Sequence, residues 1–282
     1  QNRMGIGDMV IFLPFIEAIS KKFGVPVSIL VKKNSKATQF LNINTSIDQI
    51  IILDRGNKVK NGRHDGIIGF YNLTNDLKKY NFDKIFIFNS SLRFNLIARV
   101  ARIKKIYQYP LFKKKNQHII DAAKNFIKKE LNLEVESDPK ILVGDQLVKN
   151  SKSNYNINNE EKNILLGIGG SGPTKRVPSK IFIDFMNLVT QKYKCKFFLA
   201  TGKNIEEQKI LHEILNTEYK NKCYALDNLS LNEILPVIKN CDISICNDSS
   251  FSHLSSGLGI KTIVLMTDTP LLYGSYSPRM YP

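Results

Sequence analysis

Asn247-Asp248-Ser249-Ser250 runs into Phe251-Ser252-His253, between the apolar runs Ile243-Ser244-Ile245-Cys246 and Thr262-Ile263-Val264-Leu265-Met266. Strand, short polar turn, short helix and strand is the layout of an α/β crossover. The turn falls at the carboxyl end of its strand, where open parallel sheets bind ligands. Ser249 and Ser250 stand where the helix begins, so hydroxyls and unpaired backbone N–H groups converge on a point suited to a phosphate. Asp248 adds an anchor for a ribose or for the backbone, and His253 a titratable donor. The chemistry implied is recognition of a phosphorylated or nucleotide ligand.

A second glycine-rich stretch, Gly167-Ile168-Gly169-Gly170-Ser171-Gly172, has the spelling of a dinucleotide fingerprint without its context. Pro173 and Pro178 delay the next helix to about Ser179, and the following strand ends in Thr201-Gly202-Lys203, with no acid for a ribose. Gly5-Ile6-Gly7 fails in the same way, because its next strand ends in Lys32-Lys33, and Pro173 after Gly172 excludes a Walker A lysine. What the loop offers is Thr174-Lys175-Arg176. Two adjacent cations at the top of a strand suit a diphosphate leaving group, whose charge builds as its bond breaks. The plain alternative is a solvated loop with two surface cations.

Gly5-Ile6-Gly7-Asp8 puts a carboxylate in the first turn of a helix. The helix macrodipole alone favours an acid there by ~0.5 kcal/mol. The chemical reading is a general base that deprotonates an acceptor hydroxyl. His64, His118 and His212 lack any metal spacing and read as structural or surface residues. Cys195, Cys223, Cys241 and Cys246 show no CxxC spacing and lie in or beside apolar runs, as buried thiols do. Reduced thiols fit a cytoplasmic protein.

These groups need elements to hold them. Helical spacing covers residues 8–23, 92–103 and 118–131, and strand patterns cover 26–31, 47–53 and 83–88. Residues 149–159 are polar and are expected to link a first domain, 1–148, to a second, 160–282. Alternation then restarts, with strands at 163–168, 196–201, 223–226 and 242–246 and helices at 179–193, 204–216 and 231–239. Two successive βα arrays predict an α/β protein of two Rossmann-like domains, their parallel sheets facing a central cleft. Gly5-Ile6-Gly7-Asp8 looks like the turn after a strand, yet only four residues precede it, so the first strand is expected to be clipped. The end at Pro282 reads as clipped too.

The 282 residues are 43% hydrophobic and 23% charged, as in soluble globular proteins, and no apolar run approaches the ~18 residues of a membrane span. Lysine and arginine number 41 against 25 acids, a net charge of +16 that calls for an anionic partner. Nucleic acid, a phospholipid surface and a phosphorylated substrate all qualify. Cations cluster at residues 58–63, 99–105 and 113–115. Abundant Lys, Asn and Ile also follow from an AT-rich genome, which accounts for part of the charge without function. A non-enzymatic nucleic-acid or membrane binder would show a continuous basic face with interleaved aromatics, and no RNA-binding motif is present.

Taken together, four segments resemble the lipopolysaccharide heptosyltransferases, glycosyltransferase family nine, and span nearly the whole chain in order. They are Met4-Gly5-Ile6-Gly7-Asp8-Met9-Val10 with Leu13-Pro14; residues 169–178 with Lys175-Arg176-Val177-Pro178; Phe197-Phe198-Leu199-Ala200-Thr201-Gly202; and residues 247–253. The resemblance implies the two-domain GT-B fold and transfer of a heptose from ADP-heptose to a lipopolysaccharide core or related lipid-linked acceptor. It implies a single displacement with inversion, needing neither metal nor cofactor. Asp8 would be the general base. Lys175 and Arg176 would bind the donor diphosphate, and Asp248, Ser249, Ser250 and His253 the phosphates and neighbouring sugar. Residues 1–148 would hold the phosphorylated glycolipid acceptor, with Lys58, Lys60, Arg63 and Arg93 on its phosphates. Such a protein would work in the cytoplasm, peripheral to the inner face of the membrane, with Lys113, Lys114 and Lys115 as contacts and without nucleic acid. Ser250 stands where the family usually has Gly, which narrows the backbone's approach to phosphate and leaves another nucleotide sugar, another acceptor or a sugar-nucleotide epimerase open. Glu206 and Asp227 are the candidates for an acid on the ribose.

Overall fold

Parallel strands alternating with helices make up both halves of the chain. The computed structural model describes residues 5–56, 60–111 and 118–282. Two compact units emerge, one of residues 1–37 and 45–136, the other of 38–44 and 137–282.

In the first unit, helix α1 (Ile6–Phe23) is buried along most of its length, from Met9 through Ile16 and again at Ile19. Gly24, at φ 66°, ends it in the left-handed conformation that only glycine adopts without strain. Strand β1 (Val27–Lys32) pairs in parallel with β2 (Ile47–Leu53), and α2 (Gly66–Lys78) follows. Strand β3 (Lys84–Ile87) pairs in parallel with β4 (Lys105–Gln108) across α3 (Leu92–Val100), and α4 (Ile119–Leu131) comes next. Leu53, Leu73, Leu77, Ile87 and Ile97 form the core between strands and helices. Phe88, Tyr109 and Phe126 add mutual edge-to-face contacts at 5.0–5.9 Å. Among the described residues this unit has two separate two-stranded sheets.

The second unit carries α5 (Asp145–Asn154), β5 (Lys162–Gly167), α6 (Ser179–Thr190), β6 (Cys195–Ala200), α7 (Ile205–Leu215) and β7 (Cys223–Ala225). It continues with α8 (Leu231–Lys239), β8 (Ile243–Asn247), α9 (Ser250–Gly257), β9 (Lys261–Leu265), α10 (Leu272–Ser275) and β10 (Met280–Tyr281). The six strands form one parallel sheet in the order β10-β9-β8-β5-β6-β7. Helices on its faces explain why β5 and β6 are nearly continuous apolar runs rather than alternating ones. Leu166 stands opposite Leu199 on one side and Ile245 on the other, so β5 is the middle of the sheet. Gly167 lets β8 approach, because a Cβ there would run into the Cys246 side chain.

Two expectations change. Residues 149–159 are not a free linker: α5 runs through Asn154, and the units divide between residues 136 and 137. The Asn240 side chain holds α5 by donating to the Val148 carbonyl at 2.9 Å and the Ser151 hydroxyl at 2.8 Å. Residues 38–44 belong with the second unit, where Gln39 accepts from the Leu231 N–H. Among the described residues no helix is long and apolar enough to cross a membrane.

Candidate functional site

In the second unit the strand order reverses beside β5: the chain moves from β5 to β6 on one side and returns to β8 on the other. Loops leaving β5 and β8 therefore diverge around a crevice at the carboxyl edge of the sheet, the usual place for a ligand in such folds. Asn247, the last residue of β8, ties the two loops together. Its side-chain amide donates to the Ile168 carbonyl at 2.8 Å, and its carbonyl accepts from the Val177 N–H at 3.4 Å.

Lys175 and Asp248, one on each loop, meet in an ion pair of 2.6 Å. Asp248 is buried and the Lys175 side chain partly exposed, so the ammonium lies on the solvent side of the pair. Arg176 donates to the Gly170 carbonyl at 3.0 Å, which turns its guanidinium onto the glycine loop. Thr174 donates to Asp268 at 2.7 Å, and that hydrogen bond, against a small desolvation, lowers the Asp268 carboxyl from its ordinary value.

Helix α9 opens behind the pair. Ser249 is its N-cap in extended backbone, yet its buried hydroxyl has no hydrogen-bond partner and does not cap the helix. A buried hydroxyl normally finds a partner, and Ser255 and Ser256 of the same helix share this state. Ser250 begins the helix at the same end. One turn on, His253 is buried, and its Nδ1 lies 3.0 Å from the Tyr276 hydroxyl with the rings stacked at 5.6 Å. Burial pushes the imidazole down to about 4, aided by the Lys175 charge and opposed by Asp248. His253 is thus neutral at physiological pH, offering one N–H and one lone pair rather than a cation.

Glu207 is the residue that motif reading passes over. Its buried carboxylate accepts from the Gly170 N–H at 2.7 Å and from the Asn204 side chain. A Cβ at Gly169 or Gly202 would collide with it. Of the two acids named for a ribose, Glu206 is exposed and Asp227 accepts from Gln208 at 3.3 Å. The signal for Glu207 was present as Asn204-x-x-Glu207, the spacing of a capping box at the start of α7.

In the first unit Asp8 lies in the first turn of α1 and accepts from the Gly5 N–H at 2.9 Å. Arg63 grips Asp76 with one guanidinium nitrogen at 2.8 and 2.9 Å from the two carboxylate oxygens. His64, buried, contacts the same carboxylate at 3.1 Å, and Arg93 donates to the His64 carbonyl at 3.1 Å. Burial raises the Asp76 carboxyl, but hydrogen bonds from Arg63, His64 and Lys79 outweigh it and hold it down at about 2. Arg63 and Arg93 thus share one network, and Lys60 lies in the exposed loop before it. Lys58 and Lys113, Lys114 and Lys115 fall outside the described residues. His118 caps α4, and His212 is exposed on α7. Cys195, Cys241 and Cys246 are buried and Cys223 is half-buried, none of them in a disulfide.

The fold and this crevice define a doubly wound α/β protein with a crevice at the switch point of its second sheet. Glycosyltransferase family 9 (heptosyltransferase) matches residues 70–280, and the chain belongs to that family. It is 24% identical over 271 residues to lipooligosaccharide heptosyltransferase 2 of Campylobacter jejuni, covering 94% of this chain and 79% of that protein. It is 28% identical to lipopolysaccharide heptosyltransferase 1 of Campylobacter coli over 113 residues, 39% of this chain and a third (33%) of that protein's length. Among solved structures, a family 9 glycosyl transferase from Veillonella parvula superposes with a TM-score of 0.76 at 19% identity, over 98% of this chain and 82% of that one. The E. coli heptosyltransferase WaaC with ADP gives 0.68 at 14% identity, over 98% and 89%. The α/β architecture with parallel sheets is therefore that of the family 9 glycosyltransferases.

Proposed function

We propose that this glycosyltransferase moves a heptose from ADP-heptose onto a lipopolysaccharide-core or related phosphorylated, lipid-linked acceptor. The observation that carries the reading is the Lys175–Asp248 pair standing beside the unpartnered Ser249 hydroxyl at the start of α9. A diphosphate entering the crevice meets a lysine ammonium, the Arg176 guanidinium and the amino end of a helix, all favouring negative charge. Such groups gain most as the sugar–phosphate bond breaks and charge collects on the leaving diphosphate, which is where catalysis is won. Asp248 holds Lys175 in place, and Ser249, Ser250 and neutral His253 supply uncharged hydrogen bonds to phosphate and sugar. The relative WaaC was solved with ADP, which supports adenine as the base.

Asp8 is the proposed general base on the acceptor hydroxyl, its carboxylate oriented by the Gly5 N–H. Attack by that hydroxyl as the diphosphate departs inverts the anomeric carbon in one displacement, with no metal required. Lys60, Arg63 and Arg93 are assigned to acceptor phosphates, Arg63 only if it leaves Asp76. A lipid-linked acceptor places the work at the inner face of the cytoplasmic membrane, where an anionic surface attracts a +16 chain.

Calorimetry with ADP, UDP, GDP and CMP tests the donor, with Lys175→Ala as control. Selective ADP binding that drops about tenfold or more in the variant is expected. UDP or GDP selectivity would move the donor, and no binding by any of the four would end the nucleotide-sugar reading. Product formation unchanged in Asp8→Ala would remove the general base.

A further inference from the structure

The ring of His253 meets one hydrogen-bonding partner in the protein, and that partner decides where the imidazole keeps its proton. The Tyr276 hydroxyl lies 3.0 Å from Nδ1, with the two rings within 26° of parallel. Both residues are buried. Among the described residues the imidazole makes no other hydrogen bond, and neither does the Tyr276 hydroxyl.

A neutral imidazole carries one ring proton, so this contact can run in two directions. With the proton on Nδ1, the ring donates to the phenol oxygen, and the phenol proton is left in the interior without an acceptor. With the proton on Nε2, the phenol O–H donates to the Nδ1 lone pair and is satisfied. A buried donor left unpaired is costly, and only the second arrangement avoids it for the phenol. Asp138, whose charge bears on the phenol, accepts from the Ser277 hydroxyl at 3.3 Å and takes no hydrogen bond from Tyr276. Burial and that charge push the phenol well above its ordinary value, so Tyr276 keeps its proton and stays a donor.

The fold holds the phenol where it is needed. Tyr276 lies between α10 and β10, and β10 is anchored by its parallel ladder to β9. The next residue, Ser277, bonds to Asp138 and accepts from the Met280 N–H at 3.1 Å. On the other side of the imidazole, Nε2 has no partner among the described residues, yet it is not sealed in as the Ser249, Ser255 and Ser256 hydroxyls are. Asp248 and Lys175 are close enough to act on the charge of the ring, which puts it beside the ion pair of the crevice.

We propose that Tyr276 is a positioning residue: its hydroxyl donates to Nδ1 of His253 and holds the ring proton on Nε2, so that the imidazole presents an N–H to an anionic ligand in the crevice. The opposite tautomer would present a lone pair, which a phosphate oxygen avoids. That the anion is the diphosphate of ADP rests on the donor reading above; the direction of the Tyr276–His253 bond does not.

Nitrogen NMR of the whole chain with labelled histidine rings reads the tautomer, and calorimetry with ADP reads its use. His253 should show the Nε2–H form. Tyr276→Phe keeps the ring and removes the hydroxyl, so it should populate the Nδ1–H form and weaken ADP binding about tenfold. His253→Gln assigns the signal by its disappearance and supplies an amide that has N–H donors but no tautomers. In that background, adding Tyr276→Phe should change ADP affinity by less than about twofold. The Nδ1–H form in the unaltered chain would overturn the proposal whatever the variants do. So would an unchanged tautomer in Tyr276→Phe, or an equal loss of affinity in the His253→Gln background, which would leave Tyr276 a packing residue. The expected tautomers without any ADP binding would keep Tyr276 in this role and end the nucleotide reading instead.

Discussion

The two units are written in the same βα grammar and end with different sheets. Among the described residues, the second closes six strands around a buried β5, whereas the first leaves β1–β2 and β3–β4 as separate pairs. The difference teaches where stability and chemistry reside. The loops of the second unit issue from a sheet whose central strands are fixed on both edges, so Lys175, Asp248 and Asn247 have defined positions. Asp8 and the Arg63–Asp76–His64 network depend on a unit with less lateral support.

The sharpest way to break this comparison is a matched pair of core substitutions. Leu166→Ala in β5 should cost about 3–5 kcal/mol, while Ile29→Ala in β1 should cost roughly half that, because β1 is paired along one edge only among the described residues and has fewer contacts to lose. Denaturant melts of the two variants measure it, and equal losses would mean that the first sheet pair is as well packed as the second.

Next in size is a pH effect on the second unit. The folded His253 resists protonation until about 4, whereas the unfolded chain takes the proton near 6.5. Its contribution to stability is therefore complete above the unfolded value and is lost as pH falls from 6.5 towards 4, by up to roughly 3 kcal/mol. His253→Phe should flatten that slope in a melt series.

Lys175→Ala should cost about 2 kcal/mol besides nucleotide binding, because it leaves the buried Asp248 without its cation. Adding Asp248→Asn should recover stability but not binding, which separates the structural from the ligand-binding part of the pair. The smallest effect belongs to the first unit. Asp76, held down at about 2, contributes stability that is full above ~4 and is lost as pH falls through 2. Since Arg63 is half exposed, Asp76→Asn should cost only about 1 kcal/mol at neutral pH, and the acid slope should disappear.

Legibility in the sequence followed burial. The strands of the second unit stood out as apolar runs because both of their faces are covered. Helix α2 went unread because Ile67, Ile68 and Tyr71 are exposed, so its apolar spacing does not mark its buried face. Strand β4 was hidden because it is four residues long and begins at the last residue of the basic cluster 99–105, and α5 lay among polar residues of which only Ser151 is buried. At the site, the Lys175-Arg176 pair and residues 247–253 were legible because the motif and the strand end coincide. Glu207 was not, since an acid in a first helical turn has an ordinary explanation, and only its packing against Gly169 and Gly202 sets it apart. The partner of His253 was beyond sequence as well, because Tyr276 lies in a different element.

All four cysteines belong to the second unit, and burial raises every one of their thiols, Cys223 and Cys246 to about 12. A thiolate is the species that reacts, so a thiol reagent at neutral pH finds little to modify while this unit stays closed. Labelling kinetics of the unmodified chain are therefore a clock for opening of the six-stranded sheet alone. The first unit carries no sulfhydryl, so one cysteine introduced there at an exposed position would report as a second colour.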